Sequence, residues 1–157
     1  MKKQTCCFTG HRYLPADNIH NIRKALRQAL KELIDEGIIY YGCGGARGFD
    51  LLAACTLLEL KEEYPEIRLI MVYPCRNQTK YWKAEDTAIY EKIKECSDKN
   101  IYIANEYNET CMAKRNRHLV NNSSHCLCYL TRDQSGTSFT VKLAEQKGLK
   151  IINIAEK

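Results

Sequence analysis

Hydrophobic positions along the chain follow two spacings: short uninterrupted apolar runs, and longer stretches in which apolar residues recur every three or four positions. The longer spacing is clearest after residues 15–18, whose proline, aspartate and asparagine are typical of a helix start. The apolar residues of this stretch share one face of a predicted helix: Ile19, Ile22, Leu26, Leu30 and Leu33. Gly37 follows them and predicts the end of that helix.

The uninterrupted apolar runs predict six strands, at about residues 4–9, 38–42, 67–73, 101–103, 125–131 and 150–154. The run at 67–73 is apolar throughout and ends at Pro74, which is typical of a strand inside a sheet covered on both faces. Further helical stretches lie between the strands. They begin near residue 51 and span about 80–97, 110–122 and 135–147.

Strand and helix alternate strictly, which is typical of parallel strands joined by right-handed helical crossovers. The sequence therefore predicts the α/β class, as a single-domain, Rossmann-like, doubly wound fold. Its three layers, α/β/α, enclose a mostly parallel sheet of about six strands. No repeat, linker or low-complexity segment divides the chain, so residues 1–157 are expected to form one domain.

Composition indicates which cellular compartment and which class of ligand to expect. The formal net charge is +5, and Lys and Arg are mixed with Asp and Glu along the predicted helices. Such a charge attracts phosphates mildly, and favours small anionic ligands as much as nucleic acid. The apolar segment Cys6–Phe8 is too short for a signal-peptide core or a membrane span. We therefore expect a cytoplasmic protein without a membrane partner.

The nine cysteines are an odd number, and several of them lie inside apolar runs, as small hydrophobic residues do. We therefore expect reduced thiols. Cys126 and Cys128 would share one face of a strand, but the CxxC spacing of a metal-binding hairpin is absent. The sequence predicts no metal site and no required cofactor.

Three glycine-containing polar loops follow predicted strands. In open α/β sheets, ligands bind outside the carboxyl ends of the strands, where helix N-termini aim unpaired amides into a crevice. The loops are Gly10-His11-Arg12, Gly44-Gly45-Ala46-Arg47-Gly48 and residues 133–137. The sequence therefore predicts a ligand site shared by these loops.

The second loop offers the richest set of phosphate contacts. Gly44, Gly45 and Gly48 permit positive φ and a close approach of a ligand, and the helix that follows presents its positive end to an anion. Arg47 can clamp a phosphate, and Asp50 can accept from a ribose hydroxyl or simply favour the helix dipole. The alternative is that these glycines only make a tight turn between strand and helix.

The other two loops add polar groups to the same predicted site. Gly136 and Thr137 offer amides and a hydroxyl to a second phosphate or a ribose, whereas Ser135 or Thr137 can instead cap the helix. In the first loop, Arg12 suits a phosphate or a carboxylate. His11 can donate to ligand oxygens, with packing or hydrogen bonding inside the fold as the alternative.

A base-binding surface is predicted after the third strand. Gln78, Tyr81 and Trp82 combine an amide with two aromatic rings, which suits stacking and hydrogen bonding to a base. The alternative for Trp82 is a place in the hydrophobic core.

Three segments together resemble the SLOG superfamily of Rossmann-like proteins that bind nucleotide-related ligands: Cys6 to Arg12, Gly44 to Asp50 and Ser135 to Thr137. The likeness runs from the first predicted strand to the last and is strongest to the YpsA/YoqJ-like branch. It also takes in Gln78, Trp82 and the pair Arg115-Asn116. The resemblance implies a crevice shared by three loops, with Arg115 and Asn116 as further ligand contacts.

Two branches of the superfamily imply different activities. DNA-processing protein A, which binds single-stranded DNA, carries a loop ending Ala-Arg-Gly-Ile-Asp, and this chain has Ala46-Arg47-Gly48-Phe49-Asp50. The LOG phosphoribohydrolases carry Pro-Gly-Gly-x-Gly-Thr-x-x-Glu. Here Gly136-Thr137 is kept, but Thr140 stands in place of the glutamate. Losing that carboxylate removes the group expected to stabilise positive charge on the ribose.

These features favour a binding module that senses or carries a nucleotide-derived ligand, such as a nucleotide, ADP-ribose or an NAD-like molecule. No catalytic residue is assigned. One alternative is a nucleosidase or phosphoribohydrolase acting on nucleoside monophosphates, in which Asp50, His11 or Glu145 replaces the missing glutamate. The other alternative is single-stranded DNA binding, as in DNA-processing protein A. The resemblance also implies a homodimer.

Overall fold

The alternation of strand and helix predicted from the sequence is present in the computed structural model, which describes residues 1–156. The strands are β1 (Thr5–Gly10), β2 (Tyr40–Cys43), β3 (Arg68–Cys75), β4 (Lys99–Ala104), β5 (His125–Tyr129) and β6 (Lys150–Asn153). The helices are α1 (Ile19–Asp35), α2 (Phe49–Lys61), α3 (Ala84–Cys96), α4 (Cys111–Asn121) and α5 (Gly136–Gln146). A short 3₁₀ turn at Ala16–Asn18 leads into α1.

All six strands form one sheet in the order β4-β3-β2-β1-β5-β6, and every neighbouring pair is parallel. The chain builds the sheet outwards from β1 to β4 and then returns to the other side of β1 with β5. The strand order therefore reverses between β1 and β5, where the loops that follow the two strands diverge and leave a crevice. The α/β, Rossmann-like prediction is confirmed, and the sheet is wholly rather than mostly parallel.

The sheet divides the hydrophobic core into two layers. On one face, α1 and α2 bury Leu26, Leu30 and Leu57 against the strands. On the other face, Val120 of α4 and Val141 of α5 pack against the central strands. Among the described residues, no helix combines the length and the apolar character that crossing a bilayer requires.

Strand β5 is two residues shorter than the strand predicted at 125–131, because it ends at Tyr129. After Tyr129, the backbone amides donate to side chains and not to a neighbouring strand. The Leu130 amide donates to Asn153 Oδ1 at 3.1 Å, and the Thr131 amide donates to His11 Nε2 at 2.9 Å. These two bonds satisfy the backbone outside the ladder, so the strand ends early and the chain turns towards α5.

The loop after β1 and the start of α2 lie in direct backbone contact. The Phe49 amide donates to the His11 carbonyl at 3.1 Å, and a Cβ added at Gly48 would collide with the Arg12 carbonyl. Gly48 also has a φ of 79°, and Gly10 leaves room for the Phe49 ring. Glycine at position 48 allows both the backbone conformation and the close approach. We call this contact of His11 and Arg12 with Gly48 and Phe49 the loop junction.

Gly48→Ala is expected to destabilise the fold by at least about 3 kcal/mol, because backbone strain and a backbone clash act together. Gly37→Ala is the matched control. Gly37 also has a positive φ, 94°, but no atom lies within 4 Å of its added Cβ. We expect this variant to lose only about 1 kcal/mol. Urea denaturation of both variants measures the difference, and equal losses would contradict the importance of the loop junction.

Candidate functional site

Two adjoining clefts open at the carboxyl ends of the central strands. The switch cleft, of about 290 Å³, lies where the strand order reverses and is lined by the loops after β1 and β5 and by residues of α2, α4 and α5. The aromatic cleft, of about 390 Å³, lies beside it and is lined mainly by the loops after β2 and β3. Arg12, Ala46 and Met112 line both clefts and form the wall between them.

The predicted site residues fall into four groups. Arg12 and Ala46 border both clefts, and Arg47 lines the aromatic cleft alone. The residues that line the switch cleft alone are Gly10, His11, Asp50, Arg115, Asn116, Ser135, Gly136 and Thr137. Gly44, Gly45 and Gly48 line neither cleft.

Protein atoms lie in the space beside each glycine of the second loop. A Cβ added at Gly44 would lie 2.5 Å from the Arg115 guanidinium, and one added at Gly45, where φ is 71°, would lie 2.8 Å from the Tyr73 ring. Gly48 belongs to the loop junction. These contacts give the three glycines a packing role, and the expectation that they contact a ligand stays a prediction. Gly136 differs, because no atom lies within 4 Å of its added Cβ.

Arg115 is a buried cation of α4 that holds the second loop through a hydrogen bond. It is 6% exposed, and its Nη1 donates to the Gly44 carbonyl at 2.7 Å. Its Nε donates to Asn116 Oδ1 at 2.7 Å, so the amide of Asn116 orients the guanidinium. Burial lowers the pKa of Arg115, and the nearby Asp50 opposes that effect. An arginine remains charged under these conditions, so Arg115 places positive charge beneath the switch cleft.

Asp50 is a buried carboxyl in the first turn of α2, only 5% exposed. Its Oδ2 accepts from the Ala46 amide at 3.2 Å, which braces the second loop. Its Oδ1 is buried and has no hydrogen-bond partner among the described residues. Burial raises the pKa of Asp50 to about 6, against the opposing effects of Arg115, the Ala46 amide and Arg12. Asp50 therefore changes charge close to neutral pH.

His11 makes a hydrogen bond within the fold and also lines the switch cleft. It is 3% exposed, and because its Nε2 accepts from the Thr131 amide, the ring is neutral with its proton on Nδ1. Burial, followed by the charge of Arg132, lowers the pKa of His11. Among the other proposed replacements for the LOG glutamate, Glu145 is exposed on α5 and lines neither cleft. Asp50 is left as the carboxyl that lines the switch cleft.

The N-terminus of α5 leaves backbone donors at the switch cleft. Ser135 and Ser138 form a capping box, in which each hydroxyl accepts from the other residue's amide at 3.1 and 2.9 Å. Thr140 is also committed, since its hydroxyl donates to the Gly136 carbonyl at 3.1 Å. The amides of Gly136 and Thr137 have no cap of this kind, and both residues line the cleft. Capping and anion binding are therefore compatible here.

The aromatic cleft combines cations, rings and amides. The Arg47 guanidinium lies over the Trp82 ring, 5.5 Å from its centroid, and Trp82 meets Tyr90 of the core edge-on. Gln78 Nε2 donates to the Gly45 carbonyl at 3.3 Å, which leaves the buried Gln78 Oε1 without a partner among the described residues. Trp82 therefore both packs on the core and lines the cleft.

Several cleft residues were missed in the sequence. Arg132 lines the switch cleft, and its place directly after β5 could have identified it. Lys80 lines the aromatic cleft beside the predicted Gln78 and Tyr81. Tyr107 comes from the segment between β4 and α4, Met112 lies in the first turn of α4, and no local motif marks either residue. Tertiary structure alone brings that segment to the site.

Thiols and acids do not gather into a metal site in the described part of the chain, where no group of three or more His, Cys, Asp and Glu side chains could hold an ion. Cys126 and Cys128 are fully buried in β5. Exposed cysteine is limited, among the described residues, to Cys96.

Comparisons with known sequences agree with the likeness in the loops. The model of the YspA SLOG family matches residues 9–153. A UPF0398 protein of Brevibacillus brevis is 30% identical over 129 residues, which are 80% of this chain and 69% of that protein. The UPF0398 protein YpsA of Bacillus subtilis is 32% identical over 75 residues, which are 48% of this chain and 42% of that protein. The predicted resemblance to the SLOG superfamily is confirmed.

Solved structures of DNA processing protein A share the fold. The protein from Helicobacter pylori, described for its single-stranded DNA binding mode, gives a TM-score of 0.66 at 19% identity. The protein from Streptococcus pneumoniae gives 0.67 at 15% identity. The matches cover 94% and 96% of this chain but only 63% and 50% of those chains. At such identities the likeness establishes the architecture alone.

His11→Gln is expected to flatten part of the pH dependence of stability. Below the ordinary histidine pKa the unfolded chain takes up a proton, while the folded ring stays neutral because Nε2 holds the Thr131 amide. The stability that neutral His11 contributes is therefore present above about pH 6.5 and is lost as pH falls through its lowered folded pKa. Glutamine offers an acceptor that does not titrate.

Urea denaturation of wild type and His11→Gln from about pH 8 to about pH 5 measures this difference. The advantage of wild type should shrink on acidification. Because both proteins retain Asp50, its own titration cancels in the comparison. Parallel stability profiles would contradict the role assigned to the ring.

Proposed function

The chain belongs to the YspA SLOG family, and from this premise we propose that it binds a nucleotide-derived ligand as a sensor or carrier. A nucleotide, ADP-ribose or an NAD-like molecule fits the proposal. One observation carries it: two clefts of different chemistry adjoin across a shared wall that contains Arg12. The phosphate would occupy the switch cleft and the base the aromatic cleft.

The switch cleft supports the phosphate half of this proposal. The uncapped amides at the start of α5 point positive dipole ends at the space that Arg12 and Arg132 also line. Arg115 adds a third cation from below, and Asp50 is the acidic residue of the lining. Such sites recognise phosphate through backbone donors and guanidinium groups together.

The aromatic cleft supports the base half. Trp82 offers a ring for stacking, and base–aromatic stacking contributes about 1–3 kcal/mol per base. Gln78 Oε1 is an acceptor fixed in place by the bond from its own Nε2 to Gly45. Such an acceptor pairs with an exocyclic amino group, as adenine and cytosine carry. Clefts of this volume are common for small ligands, whose sites span roughly 300–1,000 Å³.

A second candidate is single-stranded nucleic acid. It is supported by the exposed rings of Tyr81 and Tyr107 at the rim of the aromatic cleft, interleaved with Arg47 and Lys80. Cations that track a backbone and rings that stack on bases are the usual combination in such binders. The architectural likeness to DNA processing protein A, whose Helicobacter pylori form is described as binding single-stranded DNA, points in the same direction.

AMP, ADP-ribose and NAD are the probes for the first candidate, with thermal unfolding as the readout. At least one of them should raise the melting temperature of wild type, because a ligand that binds only the folded state stabilises it. Arg12→Ala should weaken binding about tenfold or more, since Arg12 borders both clefts. The fold should survive, because Arg12 contributes its backbone and not its side chain to the loop junction.

Arg23→Ala is the matched control, as it removes an equal charge from the exposed surface of α1 and should leave ligand binding unchanged. Arg47→Ala should weaken contacts to the base in the aromatic cleft, so the ligand should raise the melting temperature of this variant less than that of wild type. A panel in which no nucleotide shifts wild type would contradict the proposal.

A labelled oligodeoxythymidylate tests the second candidate by mobility shift across a salt series. Binding driven by phosphate contacts must weaken steeply as salt rises, with a log–log slope of about −0.7 per contact. Tyr81→Ala should weaken binding at every salt concentration while leaving that slope unchanged, because an exposed ring stacks and carries no charge. Absence of a shift at low salt would exclude this candidate.

A further inference from the structure

We propose that Asp50 makes the switch cleft selective for ligands that present a ribose hydroxyl, so that the site discriminates ribonucleotides from their deoxy analogues. The inference deepens the proposed function and rests on it. It starts from the contrast between the two oxygens of one carboxyl group.

The two carboxylate oxygens of Asp50 have different surroundings. Oδ2 is held by the Ala46 amide, so the plane of the group is fixed relative to the second loop. Oδ1 is buried, has no partner among the described residues, and belongs to a side chain that lines the switch cleft. A buried acceptor without a donor is costly, and a ligand that supplies a donor removes that cost. Asp50 Oδ1 can therefore accept a hydrogen bond from a donor on the ligand.

The donor is a hydroxyl and not a phosphate group. Phosphate oxygens are acceptors and carry negative charge, so an ionised carboxyl repels them. Other groups that line the cleft suit a phosphate: the amides of Gly136 and Thr137 and the cation Arg132. In a nucleoside 5′-phosphate, the group next to the phosphate is a ribose whose hydroxyls donate hydrogen bonds. One bound nucleotide can therefore contact both Asp50 and the groups that suit a phosphate.

Protonation of Asp50 changes what the cleft selects. The charged groups near the carboxyl are Arg115 from α4 and Arg12 from the loop after β1, and the thiols of Cys43 on β2 and Cys7 on β1 also lie near it. The two arginines favour the ionised carboxyl, but burial outweighs them and raises its pKa to about 6. Below that pKa the charge is lost and the hydrogen bond to a ribose hydroxyl weakens, because charge-assisted bonds are roughly twice as strong as neutral ones.

Isothermal titration of wild type with AMP, 2′-deoxy-AMP and 3′-deoxy-AMP at about pH 7.5 tests the proposal. At least one deoxy analogue should bind about tenfold more weakly than AMP, as expected for losing a hydrogen bond to a charged group. Asp50→Asn keeps an oxygen for the Ala46 amide and places a donor where Oδ1 was. The affinity ratio between AMP and that analogue should fall to about twofold in this variant.

Asp35→Asn is the control, because it removes an exposed carboxylate at the end of α1, outside both clefts. Its ratio should equal that of wild type. Repeating the wild-type titrations at about pH 5 gives a second test that needs no variant, and the ratio should again fall several-fold. The three nucleotides carry the same phosphate, so phosphate titration cancels in the ratio.

The outcomes separate this inference from the function on which it rests. If AMP binds and both deoxy analogues bind equally well, Asp50 selectivity is wrong and nucleotide binding stands. A ratio that survives in Asp50→Asn, or that does not change between the two pH values, also overturns the selectivity. If none of the three nucleotides binds wild type, both the inference and the AMP form of the proposed function are wrong.

Discussion

The candidate site depends on the backbone contact that joins the loop after β1 to the start of α2. The Arg12 carbonyl lies where a side chain at position 48 would be, and the Phe49 amide holds the His11 carbonyl. This contact fixes the backbone of Arg12 at the wall between the two clefts. Without it, the cation would belong to a free loop, and holding it against a ligand would cost conformational entropy on binding.

A second set of contacts, made by buried side chains, holds the second loop in place. Arg115 reaches from α4 to the Gly44 carbonyl, and the Ala46 amide is held by Asp50 from α2. The second loop is therefore pinned from both sides of the sheet by oppositely charged groups. Burial of these charges is costly, and the cost is visible in the raised pKa of Asp50. Residues that shape a loop in this way also tune the electrostatics of the cleft above it.

In the proposed function, the phosphate and the base would be recognised in different clefts. Backbone amides and arginines around the reversal of strand order suit an anion, whereas Trp82 and Gln78 suit a planar group with an amino substituent. Thr140 stands in place of the glutamate of the LOG enzymes, and its hydroxyl donates to the Gly136 carbonyl in the helix backbone. Asp50 is the carboxyl that lines the switch cleft, and the proposed selectivity is tested at this residue.

The sequence by itself determined the architecture and the position of the loops, because the alternation of apolar runs with helical spacing leaves few folds to choose from. It also identified Arg12, Asp50 and Gly136 as residues near the ligand crevice, and all three line the switch cleft. Arg12 follows β1, and Asp50 and Gly136 lie in the first turns of α2 and α5. Tertiary structure decided which contacts each group makes. Whether Gly44 faces a ligand or a guanidinium, and whether the His11 ring is free or bonded to a backbone amide, depends on contacts between segments far apart in the chain. Periodicity and local motifs carry no information about those contacts, because they arise only when the helices and loops pack on the sheet.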